Sequence, residues 1–315
     1  MSSAEGLPTL FDTETCSRKG LCPVTRIRKQ SEALESHSLY YEIHGTGRQK
    51  VALIMGLNSS CFAWLAQVQH FGRLSDYTVL VFDNRGVGHS GTPRGPYTHV
   101  QTSGMAEDVI VLLDHLGWTE KRDIHVVGIS LGGMIAQELA TRISERIASL
   151  VLAVTTPGGH VWSNFPPWKG MTSLARLTFT PDVNQKIPMI LDMVYPQKWI
   201  DEPAEDDEAG RINREIQVEL LRQRFLHTAK QHFLGTISQM SAALTHHVTP
   251  QRLRTISESI PKVLIVTGDD DNLVSPANSK YMSRCMPDAE FVEWKDTGHA
   301  LHSQRPKKFN ELLER

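Results

Sequence analysis

Short β-branched runs separated by longer stretches of helical periodicity dominate the chain, and that alternation leaves few architectures open. The runs are Leu39–Ile43, Val51–Met55, Tyr77–Phe82, Ile124–Val127, Leu150–Val154, Val263–Val266 and Phe291–Trp294. Strands joined by helices pair mostly in parallel, because a parallel neighbour needs a crossover that carries the chain back to the same edge. The series breaks once, between Val154 and Val263, over a span far longer than the usual ~2 to 6 residue connection. Inside the break lie an aromatic and proline cluster (Trp162, Phe165, Pro166, Pro167, Trp168) and apolar residues at helical spacing, Ile212, Ile216, Leu220 and then Phe233, Ile237, Met240, Leu244. This predicts an all-helical cap over 158–260, inserted in an α/β core made of 37–157 and 261–315.

Hydrophobic residues make up 40% of the 315 positions, enough for a large core, so disorder and fibre are excluded. Lys and Arg number 33 against 35 Asp and Glu, a net charge of -2 that offers no global attraction to nucleic acid or an anionic membrane. No apolar run approaches the ~18 residues of a membrane span, and no secretory leader opens the chain, so a cytoplasmic protein is expected. Residues 1–36 mix Arg18, Lys19, Arg26, Arg28 and Lys29 with Glu5, Asp12 and Glu14, which a mitochondrial transit peptide avoids, and read as a polar extension. Four cysteines without a CxxC pair argue against a disulfide framework or structural zinc. The acidic stretch from Asp201 to Glu208 lacks calcium-loop spacing and reads as a solvated loop.

The chemistry concentrates at Gly128-Ile129-Ser130-Leu131-Gly132-Gly133, between the run ending at Val127 and a helical pattern from Met134 to Ile143. A serine projected from a sharp strand-to-helix turn needs glycines on both sides, since side chains there would collide. The bland alternative is a glycine-rich turn whose serine merely caps the helix. A serine hydroxyl is a poor nucleophile at neutral pH, so the catalytic reading demands a histidine base and an acid to orient it. Both are offered past later strands: Gly268-Asp269-Asp270-Asp271 after Val263–Val266, and Gly298-His299 after Phe291–Trp294. In open parallel sheets such groups gather outside the carboxyl ends of the strands. Of fourteen histidines, His299 alone follows the last strand behind a glycine; His246, His247 and His125 have structural readings.

With these motifs in order, the sequence resembles the α/β-hydrolase superfamily with a helical cap, over roughly residues 38 to 315. The resemblance implies a mostly parallel eight-stranded sheet flanked by helices. It makes Ser130 the nucleophile and His299 the base. The family spacing of glycine, two residues, acid, two residues and valine, met by Gly268, Asp271 and Val274, makes Asp271 the acid. The alternative acid position in some relatives reads Thr155-Thr156-Pro157-Gly158 here and holds no carboxylate. Met55-Gly56-Leu57-Asn58 matches the oxyanion turn, with Met55 where histidine is usual, which assigns the oxyanion amides to Leu57 and Leu131. Phe82 to Ser90 matches the loop after the fourth strand, and Arg85 in it reads as a tether for that loop ahead of a contact to a substrate carboxylate.

Gly86-Val87-Gly88-His89-Ser90-Gly91 fits G-x-G-x-x-G, but Thr92-Pro93-Arg94-Gly95-Pro96 cannot open the helix on which a pyrophosphate would sit. No nicotinamide, flavin or metal cofactor is expected. Trp162, Phe165, Trp168, Met189, Ile190, Met193 and Met240 are expected to form an apolar pocket wall between cap and sheet. The implied activity is hydrolysis of a small or medium-sized ester, lactone or related carbonyl compound. The same constellation serves carbon-carbon bond hydrolysis, acyl transfer and perhydrolysis, and a ligand receptor on the same fold is the rival from another class.

Overall fold

The computed structural model describes residues 6–24, 37–91, 101–205 and 207–315. Most of the extension (1–5 and 25–36), the segment after the Gly86–Gly91 run (92–100) and Asp206 of the acidic stretch lie outside the described residues.

Eight strands form one sheet: β1 (Cys16–Cys22), β2 (Leu39–His44), β3 (Gln49–Ile54), β4 (Tyr77–Phe82), β5 (Ile124–Ile129), β6 (Ile147–Ala153), β7 (Lys262–Gly268) and β8 (Glu290–Trp294). Their spatial order is 1-2-4-3-5-6-7-8. From β4 to β8 every neighbour is parallel, while β2 runs antiparallel to both β1 and β4. The helices are α1 (Leu65–Phe71), α2 (Thr102–His115), α3 (Leu131–Ile143), α4 (Trp168–Phe179), α5 (Val183–Val194), α6 (Gln197–Ile200), α7 (Asn213–His227), α8 (Phe233–Leu244), α9 (Pro250–Ser259), α10 (Pro276–Cys285), α11 (Leu301–Gln304) and α12 (Pro306–Glu314). No helix among the described residues is long and apolar enough to cross a membrane.

The strands are apolar on both faces because helices cover both. Ala52, Ile54, Leu80, Phe82, Val126, Leu150, Leu152 and Ile265 turn to one side, under Val109 and Leu112 of α2, Ile135 and Leu139 of α3, and Met282 of α10. The alternate residues Val51, Leu53, Val79, Val81, Val127, Val151 and Val266 turn to the other, under Phe62, Trp64, Phe71 of α1 and Phe309 of α12. A period of two thus splits each strand between two cores.

Two expectations about boundaries are corrected. The extension supplies the edge strand β1: Arg18 pairs with Ile43 and Cys22 with Leu39. Its charges hide it as a strand, yet they suit an edge, where Arg18 stacks over Tyr41 and Lys19 over Tyr40. Helix α9, inside the span 158–260 expected to be cap, buries Leu253 and Ile256 in the main core under the sheet, as α8 buries Ala242. Helices α5, α6 and α7 share a small core of their own made by Ile187, Leu191, Tyr195, Ile200 and Leu221.

Candidate active site

Strand β5 turns abruptly into α3 at Ser130, whose φ of +56° and ψ of -121° lie outside the regions a non-glycine residue favours. The surroundings hold it there. Its amide donates to the Ala153 carbonyl at 2.9 Å, and its own carbonyl accepts from the Gly133 amide at 2.9 Å and the Thr155 hydroxyl at 2.7 Å. A Cβ on Gly128 would lie 2.4 Å from the Gly132 carbonyl oxygen, and one on Gly132 would lie 2.0 Å from that of Ile54, so only glycine permits the approach. The Ser130 side chain makes no capping bond to α3, which removes the reading of an ordinary capping serine. It remains partly exposed.

His299 follows β8 and Asp271 follows β7, both buried. Asp271 Oδ2 lies 2.7 Å from His299 Nδ1. The other oxygen, Oδ1, accepts from the amides of Leu273 and Val274 at 2.8 and 2.9 Å, so the carboxylate is fixed on both sides. A carboxylate only accepts, which puts the proton on Nδ1 and leaves Nε2 available. The neighbouring aspartates do other things. Asp269 accepts from the Thr297 amide at 3.3 Å, and Asp270 accepts from the side chain of Asn272 at 3.3 Å.

The turn from Met55 to Asn58 abuts the elbow: a Cβ on Gly56 would stand 3.6 Å from Ser130 Oγ. Met55 contributes no imidazole to hold this turn, and the molecule uses other groups. Asn84 Nδ2 donates to the Met55 carbonyl at 2.8 Å. From the cap, Gln239 Oε1 accepts from the Asn58 amide at 2.8 Å, while its Nε2 donates to the Arg85 carbonyl at 2.9 Å. Gln231 Nε2 donates to Asn58 Oδ1 at 2.9 Å. Neither the Leu57 nor the Leu131 amide donates a hydrogen bond among the described residues. Beneath the turn, buried Asp83 accepts from the Cys61 and His89 amides at 2.7 and 2.8 Å; burial raises its carboxyl above the usual range and these bonds oppose the rise. Arg85 is the expected tether, its Nε and Nη2 each 2.6 Å from the Asp108 carboxylate.

The expected pocket wall divides. Met193 is buried and Met189, Ile190 and Met240 are partly buried. Trp162, Phe165 and Trp168 stand 81%, 48% and 75% exposed. Helix α8 also faces opposite to its apolar pattern: Gly235, Ser238, Gln239 and Ala242 are buried, and Phe233 and Ile237 look outward. The helix lies so close to the core that a Cβ on Gly235 would meet the Gly86 carbonyl at 2.6 Å, and small or hydrogen-bonded residues win that face. Asn84, Gln231 and Gln239 escaped sequence reasoning. The one available signal was a glutamine next to Met240 in an apolar helical pattern.

One group of metal-ligand type occurs among the described residues, Cys16, Glu42 and His44, with ligand atoms within 4.8 Å of one another. It lies on the antiparallel strands β1 and β2. Glu42 is engaged there by the Tyr40 hydroxyl and by His44, 3.4 Å away.

A strained serine between β5 and α3, an acid after β7 and a histidine after β8 on this strand order define an α/β-hydrolase architecture. The alpha/beta hydrolase family model matches residues 43–312, and the chain belongs to that family. It is 28% identical, over 87% of its own length and 93% of the relative's, to the Azorhizobium caulinodans protein named "Putative carbamate hydrolase RutD". A meta-cleavage product hydrolase from Pseudomonas fluorescens superposes with a TM-score of 0.71 at 20% identity, covering 96% of this chain and 98% of that one. The enol-lactonase from Burkholderia xenovorans superposes with a TM-score of 0.67 at 22% identity, over 88% and 95% of the two chains. The relatives are hydrolases, and the fold is theirs.

Proposed function

We propose that this protein is a cytoplasmic serine hydrolase that cleaves a small or medium-sized ester, lactone or related carbonyl compound without a cofactor. The observation that carries the reading is the buried Asp271–His299 pair at 2.7 Å, on the same carboxyl edge of the sheet as the strained Ser130. Ser130 Oγ attacks the carbonyl carbon while His299 Nε2 takes its proton. Asp271 holds the imidazole in the tautomer that leaves Nε2 free, and it stabilises the imidazolium that forms. The amides of Leu57 and Leu131 receive the tetrahedral oxyanion, a contribution worth ~3 to 4 kcal/mol per donor in comparable sites. His299 returns the proton to the leaving group, and water releases the acyl group by the same steps.

A neutral fluorophosphonate is expected to label Ser130 and no other serine, followed by turnover in a screen of esters and lactones. Labelling that persists in Ser130→Ala would overturn the assignment. A receptor on the same fold would accept the label without sustained turnover.

A further inference from the structure

Helix α7 meets the core at its C-terminal end. Thr228 Oγ1 and Ser60 Oγ are 2.9 Å apart, the His227 carbonyl lies 2.9 Å from His89 Nε2, and Arg224 Nη2 donates to Ser59 Oγ at 2.6 Å. Ser59 directly follows the Met55–Asn58 turn whose Gly56 abuts Ser130. A cation from the cap is therefore seated against the loop that carries a proposed oxyanion amide.

Its charge is not matched. A guanidinium offers five N–H donors and stays protonated in proteins. Among the described residues, Arg224 makes the single bond to Ser59, forms no ion pair, and keeps a buried Nε without a partner. Arg85, by contrast, is paired with Asp108. Around Arg224 the neighbouring titratable groups are Tyr195 and Cys61, both held neutral by burial, and burial also pushes its own guanidinium below the ordinary value. His302 is pushed down to about 3, by burial first and then by the charge of Arg224. Arg224 as a whole is only partly buried, so an anion can reach the guanidinium and meet its charge.

We propose that Arg224 is the carboxylate-binding residue of this site, so that the substrate is an ester, lactone or related carbonyl compound that also carries a carboxylate. This rests on the serine-hydrolase reading. The planar fork of Arg224 grips the carboxylate, Ser59 holds the fork in place, and the reacting carbonyl is left facing Ser130.

The test compares mono(4-nitrophenyl) succinate with the neutral 4-nitrophenyl butyrate, two acyl chains of equal length. In Arg224→Met the ratio of kcat/KM for the anionic over the neutral ester is expected to fall about 10- to 100-fold, with partial recovery in Arg224→Lys. An unchanged ratio, while neutral fluorophosphonate still labels Ser130, overturns the proposal. Should Arg224→Met fail to fold, the wild-type protein decides: succinate must slow the labelling of Ser130 and succinamide must not, and equal effects overturn the proposal. If wild-type Ser130 is neither labelled nor active on any ester, the hydrolase reading fails separately. Calorimetric binding of succinate over succinamide would then uphold Arg224 as an anion site, and no difference would overturn it.

Discussion

The elbow and the cap solve opposite problems. At the elbow, backbone packs on backbone: glycines at 128 and 132 let β5, α3 and the Ile54 carbonyl approach so closely that Ser130 has one place to be. In the insertion between β6 and β7, α5, α6 and α7 share a small core, and Trp162, Trp168, Phe179 and Leu226 are each more than 70% exposed. The difference teaches where tolerance lies. A position fixed by the main chain admits no substitute, whereas a helix fixed by a few side-chain contacts can be repacked, so the proposed function puts chemistry in the first and selectivity in the second.

The comparison breaks first if the chemistry is not held at the strand ends. Asp271→Asn is expected to lower turnover about 10⁴-fold, as in other triads that lose histidine orientation, while Asp269→Asn and Asp270→Asn keep most activity. Steady-state kinetics with folded variants decide, and an active Asp271→Asn would put the acid elsewhere.

Heat and acid probe the stem by which the cap leaves the core. His246 is buried there, its Nδ1 2.9 Å from the Thr102 hydroxyl and its carbonyl 2.9 Å from Asn164 Nδ2. Burial pushes its imidazole down to about 4, so between the ordinary value of ~6.5 and that value the unfolded chain binds the proton and the folded one does not. Stability is therefore full above about pH 6.5 and lost as pH falls toward 4, by roughly 3 kcal/mol from this group. The fall in Tm between pH 7 and 4.5 is expected to be smaller in His246→Gln than in the parent.

Gly132→Ala tests the elbow directly. With a Cβ 2.0 Å from the Ile54 carbonyl oxygen the main chain must move, and a loss of about 1 to 3 kcal/mol is expected in urea unfolding, together with slower labelling of Ser130. The smallest effect belongs to the cap surface. Trp162→Ala should change stability by no more than about 0.5 kcal/mol and leave the preference among acyl sizes unmoved. A shift in that preference would show that Trp162 meets the substrate.

Local patterns made the sharp turn at Ser130 and strands β2 to β8 legible in the sequence, together with the strand-end positions of Asp271 and His299. Ser130, Asp271 and His299 each sit within a few residues of a strand end that β-branched residues announce. Strand β1 was not legible, because Ser17, Arg18 and Lys19 suit an exposed edge and interrupt the apolar signal. The cap misled for a related reason. Apolar spacing in α8 identifies a helix, but a buried face is chosen by what it meets, and here it meets the Gly86 carbonyl and the Asn58 amide. Arg224 and Gln239 acquire meaning only when residues more than 150 positions apart in the chain come together.

The contacts of Gln239 and Gln231 with Asn58 carry a consequence for evolution and engineering. In the proposed reading the helices that select the substrate also brace the turn that stabilises the transition state, so the two properties share parts and cannot be adjusted one at a time. A cap transplanted from a relative would bring a new preference and remove the brace in the same stroke. Drift in this lineage should proceed by paired changes, one in α8 and one at position 58, because either alone leaves an amide or a glutamine without its partner.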